Sequence, residues 1–195
     1  MQDEKFYISR YLKSEDGPWV LYGVRKSLED DFGGCIRYKS LSGLNSKGKQ
    51  KKIYTESFVE SDSLRVYVSP VASHDTTTVT LSCCVFGYDV DGSTNLSVTE
   101  QIKAAEKAWN DFYAFLEGSL VLWYDNFRQE KALLMLQDAV EPTTDNIKSI
   151  PYLLCSVKFV NIFGRSFGAD DNTIEEWLAN GGKEADNGYK LRSQL

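Results

Sequence analysis

SVTEQIKAAEKAWNDFYAFLEG, residues 97 to 118, is a long stretch with an unbroken helical period, and its place between strand-like segments sets the fold class. Ile102, Ala105, Trp109, Phe112 and Leu116 recur at intervals of 3, 4, 3 and 4, which puts them on one apolar stripe of a helix. Ser97 and Glu100 spell an S-x-x-E capping box, in which each side chain satisfies a backbone N–H of the other residue. Gly118 follows, where a left-handed terminating residue is wanted. The helix is expected over about 98–117, roughly 30 Å long and able to lie across a sheet.

Outward from this helix the period changes to two. KFYISRYL (5–12) alternates Phe6, Ile8 and Leu12 with Tyr7, Ser9 and Tyr11; SEDGP makes a turn, and WVLYGV (19–24) returns as the second strand of a hairpin. SLEDDFGG (27–34) interrupts with acids and paired glycines. CIRYKSL, KKIYTESFVE, SLRVYVSP and TTTVTLSCCVFG follow as strands, with Pro70 closing the third of these because it cannot donate to a ladder. After the helix, SLVLWYD (119–125) and KALLMLQDAVE (131–141) flank a polar connection and form another hairpin. YLLCSVKFVNIFG (152–164) is the longest strand candidate, with Leu153, Cys155, Val157, Phe159 and Asn161 on one face. TIEEWL (173–178) is a short helix ending at Gly181 and Gly182.

These elements predict a mainly β (α+β) fold: an antiparallel β-sandwich or small barrel with one long amphipathic helix inserted and a short C-terminal helix. Residues 1–182 make a single β-rich domain, and 183–195 form a polar tail with little to bury. A chain of 195 residues, 42% of them hydrophobic, supports one substantial core. The formal charge of −6 argues against general nucleic-acid binding, which draws on clustered Lys and Arg. The opening residues carry no export signal and no 18-residue apolar run occurs, so the chain reads as soluble and unexported. Cys83 and Cys84 are adjacent, while Cys35 and Cys155 stand in separate strands, so all four are expected as buried free thiols in a reducing compartment.

Several near-motifs fail on their chemistry. GLNSKGKQ (43–50) approaches the phosphate-binding loop G-x-x-x-x-G-K-[ST], but Gln50 lacks the metal-binding hydroxyl and a strand follows where a helix is required. Its reading is a basic loop between strands, carried by Lys47, Lys49, Lys51 and Lys52. YDVDGSTNLSVTE (88–100) places Asp89, Asp91, Ser93 and Glu100 at calcium-loop positions, yet Thr94 occupies the position that needs glycine. His74 is the sole histidine and no Cys-x-x-Cys pair exists, so the usual zinc sites lack their ligands. Glu29, Asp30 and Asp31 read as a solvated acidic turn, and Trp19, Trp109, Trp123 and Trp177 as core or interface residues. No catalytic set, metal site or cofactor box is spelled out, which favours a structural or interaction role.

The order of elements, with segments such as ESDSLRVYVSP, EKAWNDFYAFLEGSLVLWYDN and PYLLCSVKFVNIFG, resembles bacteriophage tail-tube and distal-tail proteins over residues 5 to 165; tail-terminator and head-to-tail connector rings fit nearly as well. The resemblance implies a non-enzymatic virion protein, assembled in the host cytoplasm, whose subunits join edge to edge into hexameric rings. It implies no cofactor, no membrane and no sequence-specific nucleic-acid contact, and a negative lumen past which DNA slides. Lys47, Lys49, Lys51 and Lys52 would then be an assembly contact loop reaching acids such as Glu29 to Asp31 on the next subunit. The alternatives are a carbohydrate- or protein-binding β-sandwich module, and an enzyme using His74 or a cysteine.

Overall fold

The computed structural model describes residues 5–15, 17–44, 54–57, 64–67, 76–87, 95–147 and 150–182. Its elements in chain order are β1 (Phe6–Lys13), β2 (Trp19–Leu21), β3 (Lys26–Ser27), β4 (Ile36–Ser42), β5 (Tyr54–Ser57), β6 (Leu64–Tyr67), β7 (Thr77–Phe86), α1 (Val98–Leu116), β8 (Leu120–Asp125), β9 (Glu130–Ile147), β10 (Ile150–Asn161), β11 (Phe167–Gly168) and α2 (Thr173–Ala179). The fold is mainly β with two helices, as the sequence patterning requires.

All the pairings are antiparallel. The main sheet runs in the order β2-β1-β8-β9-β10-β7-β4, with β3 added to β1 and β11 to β9, and β5 and β6 form a separate hairpin. Four strands separate β1 from β4 along this path, yet the rings of Phe6 and Tyr38 stack with centroids 4.2 Å apart. The sheet therefore curls until its ends meet through side chains, the natural outcome of strand twist accumulated over many strands. The 28–35 connection bridges the seam: Glu29 Oε1 accepts the Tyr38 N–H at 3.0 Å, and Leu28 N–H reaches the Phe6 carbonyl at 3.0 Å.

The period-two alternation decides what each face buries. On one face Ile8, Ile36, Val79, Leu81, Cys83, Val85, Val121, Trp123, Ala132, Leu134, Leu153, Cys155, Val157 and Phe159 join the apolar stripe of α1 in one core. Ala105, Trp109, Phe112 and Leu116 are buried as the helical spacing anticipates, and Ala108 and Phe115 widen the stripe. The opposite face carries a second cluster, where Leu120 and Leu133 meet Ile174 and Leu178 of α2. Consecutive residues Ala132, Leu133 and Leu134 are all fully buried because β9 is covered on both faces there. Burying each such leucine contributes about 1.5–3 kcal/mol.

The ends of α1 follow local chemistry. The reciprocal Ser97–Glu100 box is formed, and Gly118, at φ 68°, terminates the helix. Gly87 lets the end of β7 approach the first turns of α1, since a Cβ there would lie 1.8 Å from the Gln101 carbonyl oxygen. Lys131, nearly buried on β9, donates to Glu175 Oε1 at 2.6 Å and ties α2 to the sheet.

Two expectations are corrected. The longest described strand is β9, not the 152–164 segment: it continues for 18 residues because Thr143, Thr144 and Val140 suit extended backbone and Pro142 sits at a bulge, where residues 141 and 142 face Cys155 alone. The four cysteines are all thiols, but only Cys83 and Cys155 are buried; Cys35 and Cys84 are half-buried, Cys84 lying on the opposite face of β7 from Cys83.

Candidate assembly surface

The strand β9 is served unequally on its two sides. β10 pairs with it from Leu134 to Ile147, whereas β8 reaches only as far as Met135. From Leu136 to Ile147 the β8 side of β9 has no partner strand among the described residues, although Asp138 and Asp145 take the Ala139 and Asn146 N–H groups and Pro142 has none. Along this overhang Asp138, Glu141 and Asp145 are exposed, as are the apolar Val140 and Ile147. Asp145 is held ionised: hydrogen bonds from the Asn146 N–H and then the Tyr152 hydroxyl keep its carboxyl below the usual range.

Among the described residues a second exposed edge is β2, at one end of the sheet; β4 stands at the other end, where Glu29 takes its Tyr38 N–H. Val20, Leu21, Tyr22 and Val24 are 52%, 50%, 52% and 75% exposed, so both faces of this short edge present apolar side chains to solvent. Cations surround it. Arg10 Nη1 donates to the Phe115 carbonyl at the C-terminus of α1, and its guanidinium lies 4.5 Å from the Tyr22 ring. Arg25 covers the cross-strand pair Tyr7 and Tyr124 at 4.1 and 4.5 Å, while Lys13 lies over Trp19 and Lys26 over Phe32.

The residues singled out in the sequence have mixed fates. Lys47, Lys49, Lys51 and Lys52 lie outside the described residues, as do His74, Asp89, Asp91, Ser93, Thr94 and the 183–195 tail. The acidic turn is engaged within the chain, while Asp30 and Asp31 stay exposed to solvent. Glu29 binds Tyr38, Asp31 Oδ2 accepts the Ser27 N–H at 2.6 Å, and Asp30 pairs with Lys5 at 2.8 Å and accepts the Ser27 hydroxyl. The Lys5 hydrogen bond is the main reason that the Asp30 carboxyl sits below its ordinary value.

Gly43, the first glycine of the near phosphate loop, has a structural role: at φ 88° its missing Cβ would meet the Thr78 carbonyl oxygen at 2.3 Å. Glu100, the last position of the near calcium loop, is spent in the helix cap. Trp109 and Trp123 are core, while Trp19 and Trp177 pack against the α2 cluster. A cleft of about 420 Å³ lies beside Tyr7, Arg25, Ser27, Asp31, Tyr124 and Asn126, but Arg25 already occupies a face of both tyrosine rings. Among the described residues no group of three or more potential metal ligands gathers, and no helix is long and apolar enough to cross a membrane.

Sequence reasoning missed both edges. Pro142 and the acids of 138–145 were the available signal for β9, because proline and charge mark strands that are not flanked on both sides. No protein-family model matches this chain, and no curated protein is significantly similar to it.

Proposed function

We propose that the protein is a non-enzymatic assembly subunit that joins identical copies through strand edges into a ring, in the manner of bacteriophage tail and head-to-tail connector proteins. The observation that carries this reading is the overhang of β9, which leaves the stretch from Leu136 to Ile147 without a strand on one side among the described residues. Such an edge invites aggregation in an isolated chain and finds its natural use in pairing with another subunit. The curled sheet with a helix packed on one face is compatible with a rigid building block, and the formal charge of −6 suits a surface that does not hold DNA. The site of action on this proposal is the virion.

Light scattering of the purified chain across concentration, with negative-stain images of the same sample, tests the proposal. Closed rings or stacked tubes are expected. A strict monomer at every concentration would refute self-assembly and turn attention to the alternative of a carbohydrate- or protein-binding module.

A further inference from the structure

We infer that assembly is head to tail: the β9 overhang of one copy pairs with the β2 edge of the next. This inference rests on the self-assembly reading above and identifies the two surfaces that would meet. Both are sheet edges, both carry exposed apolar side chains, and their charges are opposite. On β9, Asp138, Glu141 and Asp145 stand within 136–147 with no Lys or Arg in that stretch of the strand. In the stretch 10–27, Arg10, Lys13, Arg25 and Lys26 outnumber the acids Glu15 and Asp16, and Asp31 lines the same cleft as Arg25.

Neighbouring elements narrow this contrast without reversing it. Lys158 of β10 stands opposite Asp138 in register, and Lys39 of β4 is near enough to help hold Asp145 ionised. Glu141, between them on β9, stands at the bulge beside Pro142. The β2 edge in turn is backed by Arg10, whose cation lies against Tyr22 itself.

The charge pattern also decides against the simplest alternative. If β9 overhangs paired with each other across a central two-fold axis, Asp138 of one copy would face Asp145 of the other, and like charges opposed across strands are destabilising. If β2 edges paired with each other, the cations would meet. Joining unlike edges satisfies both, and it leaves a free β9 overhang and a free β2 edge at the two ends of every dimer. Such a heterologous contact propagates until it closes into a ring or continues as a filament.

The test uses two full-length variants, each with one edge spoiled by exposed substitutions. Val20→Asp with Val24→Asp spoils β2; Val140→Lys with Glu141→Lys spoils β9. Circular dichroism checks that each is folded. Each variant alone is expected to remain monomeric at concentrations where the unaltered chain assembles. An equimolar mixture is expected to give a species of twice the chain mass and no larger, because only one productive edge pair remains.

Two outcomes separate the two levels of the proposal. If the unaltered chain itself never assembles, the self-assembly reading fails and this inference with it. If the unaltered chain assembles and both variants assemble equally well, or if the mixture stays monomeric while each folds, assembly stands but the pairing of β9 with β2 is overturned. Homodimers from either variant alone would likewise overturn it in favour of a two-fold contact.

Discussion

Phe6 and Tyr38 stack at 4.2 Å although their strands, β1 and β4, stand near opposite ends of the pairing order, and this contact closes the curled sheet. Phe6 also packs on Trp123 at 5.2 Å, so one ring links the seam to the core. Phe6→Ala is expected to cost about 2–4 kcal/mol in urea unfolding, and a double-mutant cycle with Tyr38→Leu should show a coupling of about 0.5–1.5 kcal/mol. Additive effects would mean that the seam is held elsewhere.

Gly87 presses the end of β7 against α1. Gly87→Ala would place a methyl group 1.8 Å from the backbone oxygen of Gln101, which cannot rotate away. The expected destabilisation is about 1–3 kcal/mol, read as a lower thermal midpoint. An unchanged midpoint would show that this approach is looser than described.

The Asp30 carboxyl is lowered from 3.8, chiefly by the hydrogen bond from Lys5. A depressed folded value means that the ionised group favours the folded chain above its unfolded value, and that this contribution vanishes as pH falls through the folded one. Asp30→Asn should therefore lower the thermal midpoint at neutral pH, with the difference from the unaltered chain shrinking below about pH 4. Because the pair is half exposed, the effect should be modest and should weaken in high salt. A difference that grows toward acid would contradict the assigned role.

Burial pushes the Cys155 thiol up to about 12 and raises Cys83 still more strongly, while Cys84 is raised less. Thiolates are the reactive form, so a disulfide reagent at about pH 8 should modify Cys35 first and Cys84 more slowly. Cys83 and Cys155 should react only after denaturant is added. Peptide mapping of the labelled chain distinguishes the four sites, and early labelling of Cys83 would show that β7 opens readily.

Two origins of structure can be told apart in particular elements. The helix α1 was legible because its signals are local: the stripe from Ile102 to Leu116, the Ser97–Glu100 box and the closing Gly118 all act within a few turns of one another. The faces of β10 were equally legible, since alternation needs no knowledge of a partner strand. The roles of Glu29 and Gly43 were not, because the backbones they serve, at Tyr38 and Thr78, arrive through the fold.

The sequence alone determined the mainly β class, both helices, the hairpins β1–β2 and β8–β9 and the alternating faces of β1 and β10, because periodicity and turn chemistry are properties of neighbouring residues. Only the tertiary structure decided the strand order, the seam between Phe6 and Tyr38, and the unpartnered length of β9. Those depend on which strand ends beside which. A strand's own residues carry its preference for extended backbone, but not the length of the neighbour that stops at Met135 and leaves one side of β9 beyond it without a strand among the described residues.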